Sequence, residues 1–79
     1  MSNEDKLKEI FSKTLDIEKK IINDALEYHS ISEWDSIAHM SLVATIDEEF
    51  KTMLDTDDVI NLRTFGKAKE ILKKYGVKF

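Results

Sequence analysis

Seventy-nine residues with no cysteine, no proline and a net charge of −4 read as one small domain spanning 1–79, without a disulfide framework or thiolate metal site. A chain this short buries only about 60% of its unfolded surface, which suits a binding module or carrier better than an enzyme needing a cleft and a full catalytic set. No apolar run approaches the ~18 residues of a membrane span, and Met1-Ser2-Asn3-Glu4-Asp5-Lys6 lacks the basic start and apolar run of a signal peptide. A reducing cytoplasm is the expected location.

The charge is uneven along the chain. Residues 1–20 balance to zero, residues 21–62 hold ten acids against Lys51 alone, and residues 63–79 hold Arg63 and five lysines against Glu70. An acidic middle disfavours nucleic acid and suits a basic protein partner.

Glycine occurs only at 66 and 76, and Leu, Ile, Lys and Glu dominate, so helices are expected. The first should run over roughly 4–14, capped by Ser2 or Asn3, with Leu7, Ile10, Phe11 and Thr14 inward. Residues 15–35 carry apolar side chains without one period. They read as an ordered loop with a short helical turn around Glu18–Ile22.

The second helix runs from Ser36 to about Phe50, with Asp35 as its N-cap. Stepping ~100° per residue places Leu42, Val43, Ile46 and Phe50 on a core face. The opposite side carries Ile37, Met40 and Ala44 beside Ser41, Asp47 and Glu48, an apolar strip rimmed by acids. A turn at 51–56 leads to a short third helix over 57–62. Thr64 then caps a last helix whose inward face is Phe65, Ala68, Ile71, Leu72 and Tyr75, with Gly76 as its stop. The expectation is an all-α bundle of three longer helices and one short one.

Several chemistries can be weighed on this frame. Asp55, Asp57 and Asp58 do not make a calcium loop, because Ile60 and Gly66 stand where glycine and glutamate are required. The lysines of the last helix lack an aromatic platform for nucleic acid and read as a solvated face. His39 lies three residues after Ser36, but no glycine-rich oxyanion loop supports a Ser–His nucleophile, and packing against Trp34 or the preceding loop is the better reading. Trp34 itself reads equally as an acyl-pocket wall or as the plug of one end of the bundle. The tripeptide Asp35-Ser36-Ile37 alone reads as a helix cap, since short matches recur by chance.

In its wider setting that tripeptide carries more. Asp35, Ser36, Ile37, Met40, Leu42, Val43, Ile46, Asp47, Glu48, Glu49 and Phe50, then Met53-Leu54, Asp57 to Leu62 and Thr64-Phe65-Gly66-Lys67-Ala68, resemble the acyl carrier protein family over essentially the whole chain. The resemblance implies a non-enzymatic, freestanding, monomeric carrier. Ser36 would hold a 4′-phosphopantetheine arm donated by coenzyme A through a separate phosphopantetheinyl transferase, and Asp35 would assist its recognition. Ile37, Met40, Ala44, Asp47 and Glu48 would dock acyl-activating, acyl-transferring or condensing enzymes with basic surfaces. Ala38, His39, Ser41 and Trp34 depart from the pattern of fatty acid carriers and look more like carriers for secondary metabolites or surface-sugar acylation. An aminoacyl or peptidyl carrier, such as a D-alanyl carrier, and an unmodified helical interaction module are the alternatives.

Overall fold

The structure, a computed structural model, describes residues 2–79. It comprises α1 (Asn3–Leu15), a 3₁₀ turn (Lys19–Ile21), α2 (Ser36–Phe50), α3 (Thr56–Asn61) and α4 (Phe65–Lys74). This is the expected all-α bundle of three longer helices and one short helix.

Ser2 starts α1 by accepting the Asp5 N–H at 3.1 Å, and Glu4 and Asp5 occupy the positive end of the helix dipole. Leu7, Ile10, Phe11 and Leu15 are its buried face. Thr14, expected on that face, is only half-buried, and Leu15 closes the stripe one turn beyond Phe11 instead of opening the loop. Asp16 ends the helix in the left-handed region, with φ 56°.

The irregular segment before α2 is ordered by backbone pairing to the start of α4. Tyr28 N–H donates to the Arg63 carbonyl at 2.7 Å, Phe65 N–H to Leu26 at 3.0 Å and Gly66 N–H to Asp24 at 3.2 Å. Periodicity could not reveal this zipper, because it joins residues some forty positions apart. It also explains Gly66: a Cβ there would stand 3.1 Å from both the Cβ and the carbonyl oxygen of Asp24.

The core centres on Phe11, which packs edge-on against Trp34 (centroids 5.3 Å apart) and Phe65 (5.0 Å). All three are fully buried, joined by Leu42 and Ile46 of α2, Leu62, and Ala68, Ile71 and Leu72 of α4. Each large side chain withdrawn from water contributes roughly 1.5–3 kcal/mol, and aromatic pairs add about 0.5–1.5 kcal/mol each. Phe50, expected on the α2 core face, is half-buried at the rim, beneath the Lys6 ammonium, 5.0 Å from the ring centroid.

With six residues, α3 cannot persist by itself. Asp55 caps it by accepting the Asp58 N–H at 2.8 Å, and Leu62 anchors its end in the core. Asp58 is buried and accepts from Lys74 Nζ at 2.6 Å and from the Tyr75 hydroxyl. The Lys74 ammonium, then the Tyr75 hydroxyl, hold the Asp58 carboxyl below the usual carboxylate range, and the same contacts raise Lys74 and Tyr75 above theirs. Tyr75 is therefore not the core residue its spacing implied. The residue is 38% exposed while its hydroxyl bonds to Asp58 of α3. Gly76, at φ 91°, ends α4 as expected.

Candidate functional site

The start of α2 is built by Asp35. Its backbone is extended, its carbonyl accepts the His39 N–H at 2.8 Å, and its Oδ1 accepts the Ala38 N–H at 2.9 Å. Ser36 is thereby the first helical residue, exposed, beside first-turn amides that have no carbonyl one turn back. Its Oγ shares a hydrogen bond with the Tyr28 hydroxyl at 3.1 Å.

Beyond Ser36, α2 presents Ile37 (81% exposed), Met40 (60% exposed), Ser41, Ala44 and Glu48 to solvent. Asp47 stands apart from this group. It is half-buried, and its Oδ1 accepts from Thr52 Oγ1 at 2.8 Å and from the Leu54 N–H at 3.1 Å, which commits that oxygen to the turn after α2. In the turn after α2 and on α3, Met53 and Ile60 are also exposed.

Behind Ser36 the bundle is filled. Trp34 Nε1 donates to His39 Nδ1 at 3.0 Å, and His39 Nε2 lies 2.9 Å from the Val59 carbonyl. An indole N–H can only donate, so Nδ1 must accept and Nε2 must carry the proton toward Val59. Both ring nitrogens are thus occupied inside the protein. The imidazole cannot serve Ser36 as a base without giving up the indole, and the hydroxyl bonds to Tyr28 instead.

Tyr28 is the residue that sequence reasoning missed here. It lies in the 15–35 segment expected to be an ordered loop, yet its hydroxyl meets Ser36 and its ring packs against four neighbours. His29 stacks on it at 4.0 Å, His39 and Trp34 lie at 5.1 and 6.0 Å, and the Arg63 guanidinium sits over it at 4.8 Å. The zipper between 24–28 and 63–66 brings Tyr28 and Arg63 together, and no local pattern announces it.

Compared with known protein families, residues 5–72 match the phosphopantetheine attachment site family. The chain belongs to that family. No curated protein matches the chain. Membership makes this a phosphopantetheine carrier, with 4′-phosphopantetheine as its covalent cofactor. It also implies encounters with a phosphopantetheinyl transferase and with biosynthetic enzymes. Carriers of this family are typically non-catalytic. No helix among the described residues is long and apolar enough to cross a membrane.

The residues at the start of α2 fit a covalent phosphodiester. A hydroxyl lies in solvent at a helix N-terminus, where unpaired amides and the helix dipole favour negative charge. A groove of about 430 Å³ lies instead between α1 and α2 around Lys6, Ile10, Thr45 and Glu49. It is near the C-terminal end of α2, on the order of 15–20 Å of helix from Ser36.

Proposed function

We propose that Ser36 bears the arm and that residues 1–79 act as a single carrier domain presenting acyl groups, without catalysing a reaction themselves. The observation that carries this reading is the position of Ser36 among the serines of the matched span. Ser12 is half-buried and donates to the Ile17 carbonyl at 2.6 Å. Ser30 donates to the Glu27 carbonyl at 2.6 Å, Ser32 lies within the loop, and Ser41 is in the middle of α2. Ser36 alone combines an exposed hydroxyl with a helix start.

In this reading a separate transferase directs Ser36 Oγ at the phosphorus of coenzyme A that bears pantetheine. The O–P bond forms, the pyrophosphate P–O bond breaks, the adenosine bisphosphate departs with the electron pair, and the serine proton passes to a base on the transferase. The arm supplies a terminal thiol that holds cargo as a thioester, which accounts for thiol chemistry in a chain without cysteine. Asp35 fixes the helix start and so aims the hydroxyl outward. Ile37, Met40, Ala44 and Glu48 form the docking face, with Asp47 contributing through its place in the turn. Partner enzymes then present apolar sockets ringed by Arg or Lys.

The filled interior bears on the cargo. A long alkyl chain entering behind Ser36 would have to displace Trp34, which is fully buried, and break its bond to His39. Short or polar groups that stay outside the bundle suit this carrier, and an aminoacyl group is the second reading that this packing favours.

The test is intact-mass measurement after incubation with coenzyme A and a broad-specificity transferase. Wild type should gain one arm, while Ser36→Ala should gain none and keep its helical circular dichroism. Modification of the Ser36→Ala variant would refute the assignment. Acyl- and aminoacyl-activating enzymes supplied in turn then separate the two classes of cargo.

A further inference from the structure

Attaching the arm at Ser36 places a phosphodiester, with a full negative charge, in the most acidic part of the chain. Residues 21–62 contain ten acids and a single lysine or arginine, Lys51, which caps the opposite end of α2. Among the other bases near the α4 start, Lys69 is engaged with Asp24 (2.7 Å) and Glu4 (3.2 Å), and Lys67 lines the α3–α4 groove with Asp58 and Asn61. The remaining cation is Arg63, the only arginine in the chain.

Arg63 is exposed, and among the described residues no carboxylate pairs with it. Its guanidinium rests instead on the Tyr28 ring at 4.8 Å, and the hydroxyl of that ring is 3.1 Å from Ser36 Oγ. The contact with the ring holds the guanidinium in place while leaving its N–H groups available for a phosphate. The backbone locks the pair, since Tyr28 N–H donates to the Arg63 carbonyl at 2.7 Å.

We propose that Arg63, carried on Tyr28, is a phosphate-binding residue that pairs with the phosphodiester of the attached arm and holds its first atoms against the protein. This rests on Ser36 being the attachment point. Esterification removes the Ser36 hydroxyl proton, so its Oγ can then only accept. Tyr28 becomes the donor, to that oxygen or to a phosphate oxygen beside it. Arg63, over the ring whose hydroxyl meets Ser36 Oγ, supplies the opposite charge, in the two-pronged geometry that guanidinium offers phosphate.

The experiment compares apo and holo protein, the latter made with coenzyme A and the transferase, by nuclear magnetic resonance of the Arg63 Nε–H and of phosphorus. Conversion to holo should shift the Arg63 Nε–H signal. Arg63→Gln should move the phosphorus signal of the holo protein and leave the fold unchanged, because the side chain is exposed. Tyr28→Phe keeps the ring and should retain the Arg63 shift, whereas Tyr28→Leu removes the platform and should lose it. If the arm attaches to Ser36 yet the Arg63 signal is the same in apo and holo protein, and Arg63→Gln leaves the phosphorus signal in place, this inference alone is overturned. If no arm attaches to Ser36, the attachment reading and this inference both fall.

Discussion

Replacing His39 with phenylalanine tests whether the Trp34–His39–Val59 chain is a structural element. The ring stays aromatic and similar in size, but the acceptor for the indole N–H and the donor to the Val59 carbonyl are both lost. Trp34 is 0% exposed, so its N–H cannot turn to water. A buried donor left without a partner costs about 1–3 kcal/mol. In a domain of this size each kcal/mol lowers Tm by roughly 4–8 °C, so the expected fall is on the order of 10 °C. Trp34→Phe removes the donor together with some core volume. In the double variant no N–H remains to be orphaned, so part of the His39→Phe cost should vanish. Urea unfolding followed by circular dichroism, applied to all four proteins, should give a coupling energy of about 1 kcal/mol or more. Additivity within about 0.5 kcal/mol would refute the claim that the two rings act as a hydrogen-bonded unit.

Asp58 should set both limbs of the pH–stability profile. Its pKa is lowered in the fold, so its contribution is present above the unfolded value and is lost as pH falls through the folded one, below about pH 4. Lys74 and Tyr75 are raised, so their contributions are complete below their unfolded values and are lost as pH climbs through the folded ones, above about pH 10. Asp58→Asn should flatten both limbs, and identical profiles by thermal melting would contradict that. Met40→Glu should weaken binding to a partner enzyme tenfold or more with little change in Tm, since Met40 is 60% exposed; a large loss of Tm would place that side chain in the core.

The helices were legible because each carries its own boundary signals. Asp35 and Thr64 were read as caps, and both accept the first-turn N–H that their positions require. Gly76 was read as a stop and has the left-handed φ that a stop needs. The misses share a different cause. Tyr28 meets Ser36, Asp58 meets Lys74 and Tyr75, and Asp47 turns into its own loop through contacts that no single period encodes. Asp57 and Asp58 both stand in the first turn of α3, where either acid suits the helix start, yet Asp57 is exposed and Asp58 buried. What distinguishes the two is which side of a six-residue helix faces α4, and so short a helix carries too few turns for its sequence to say.

The same short helix explains why two dissimilar ties meet on it. His39 reaches Val59 from α2 with a neutral hydrogen bond at 2.9 Å, and Lys74 reaches Asp58 from α4 with an ion pair at 2.6 Å. The Lys74 side chain is 62% exposed, so added salt screens the second tie, while the first involves no net charge. Amide exchange at Val59, whose N–H donates to the Asp55 carbonyl at 3.0 Å, reports opening of α3. Wild-type exchange there should quicken with salt, and exchange in Asp58→Asn should be faster but nearly indifferent to salt. His39→Phe should be faster at low salt and still respond to it. Equal salt dependence in wild type and Asp58→Asn would mean that the ion pair does not hold α3. The exposed Ile60 would then owe its position to the core contact of Leu62 and the bond from His39 alone.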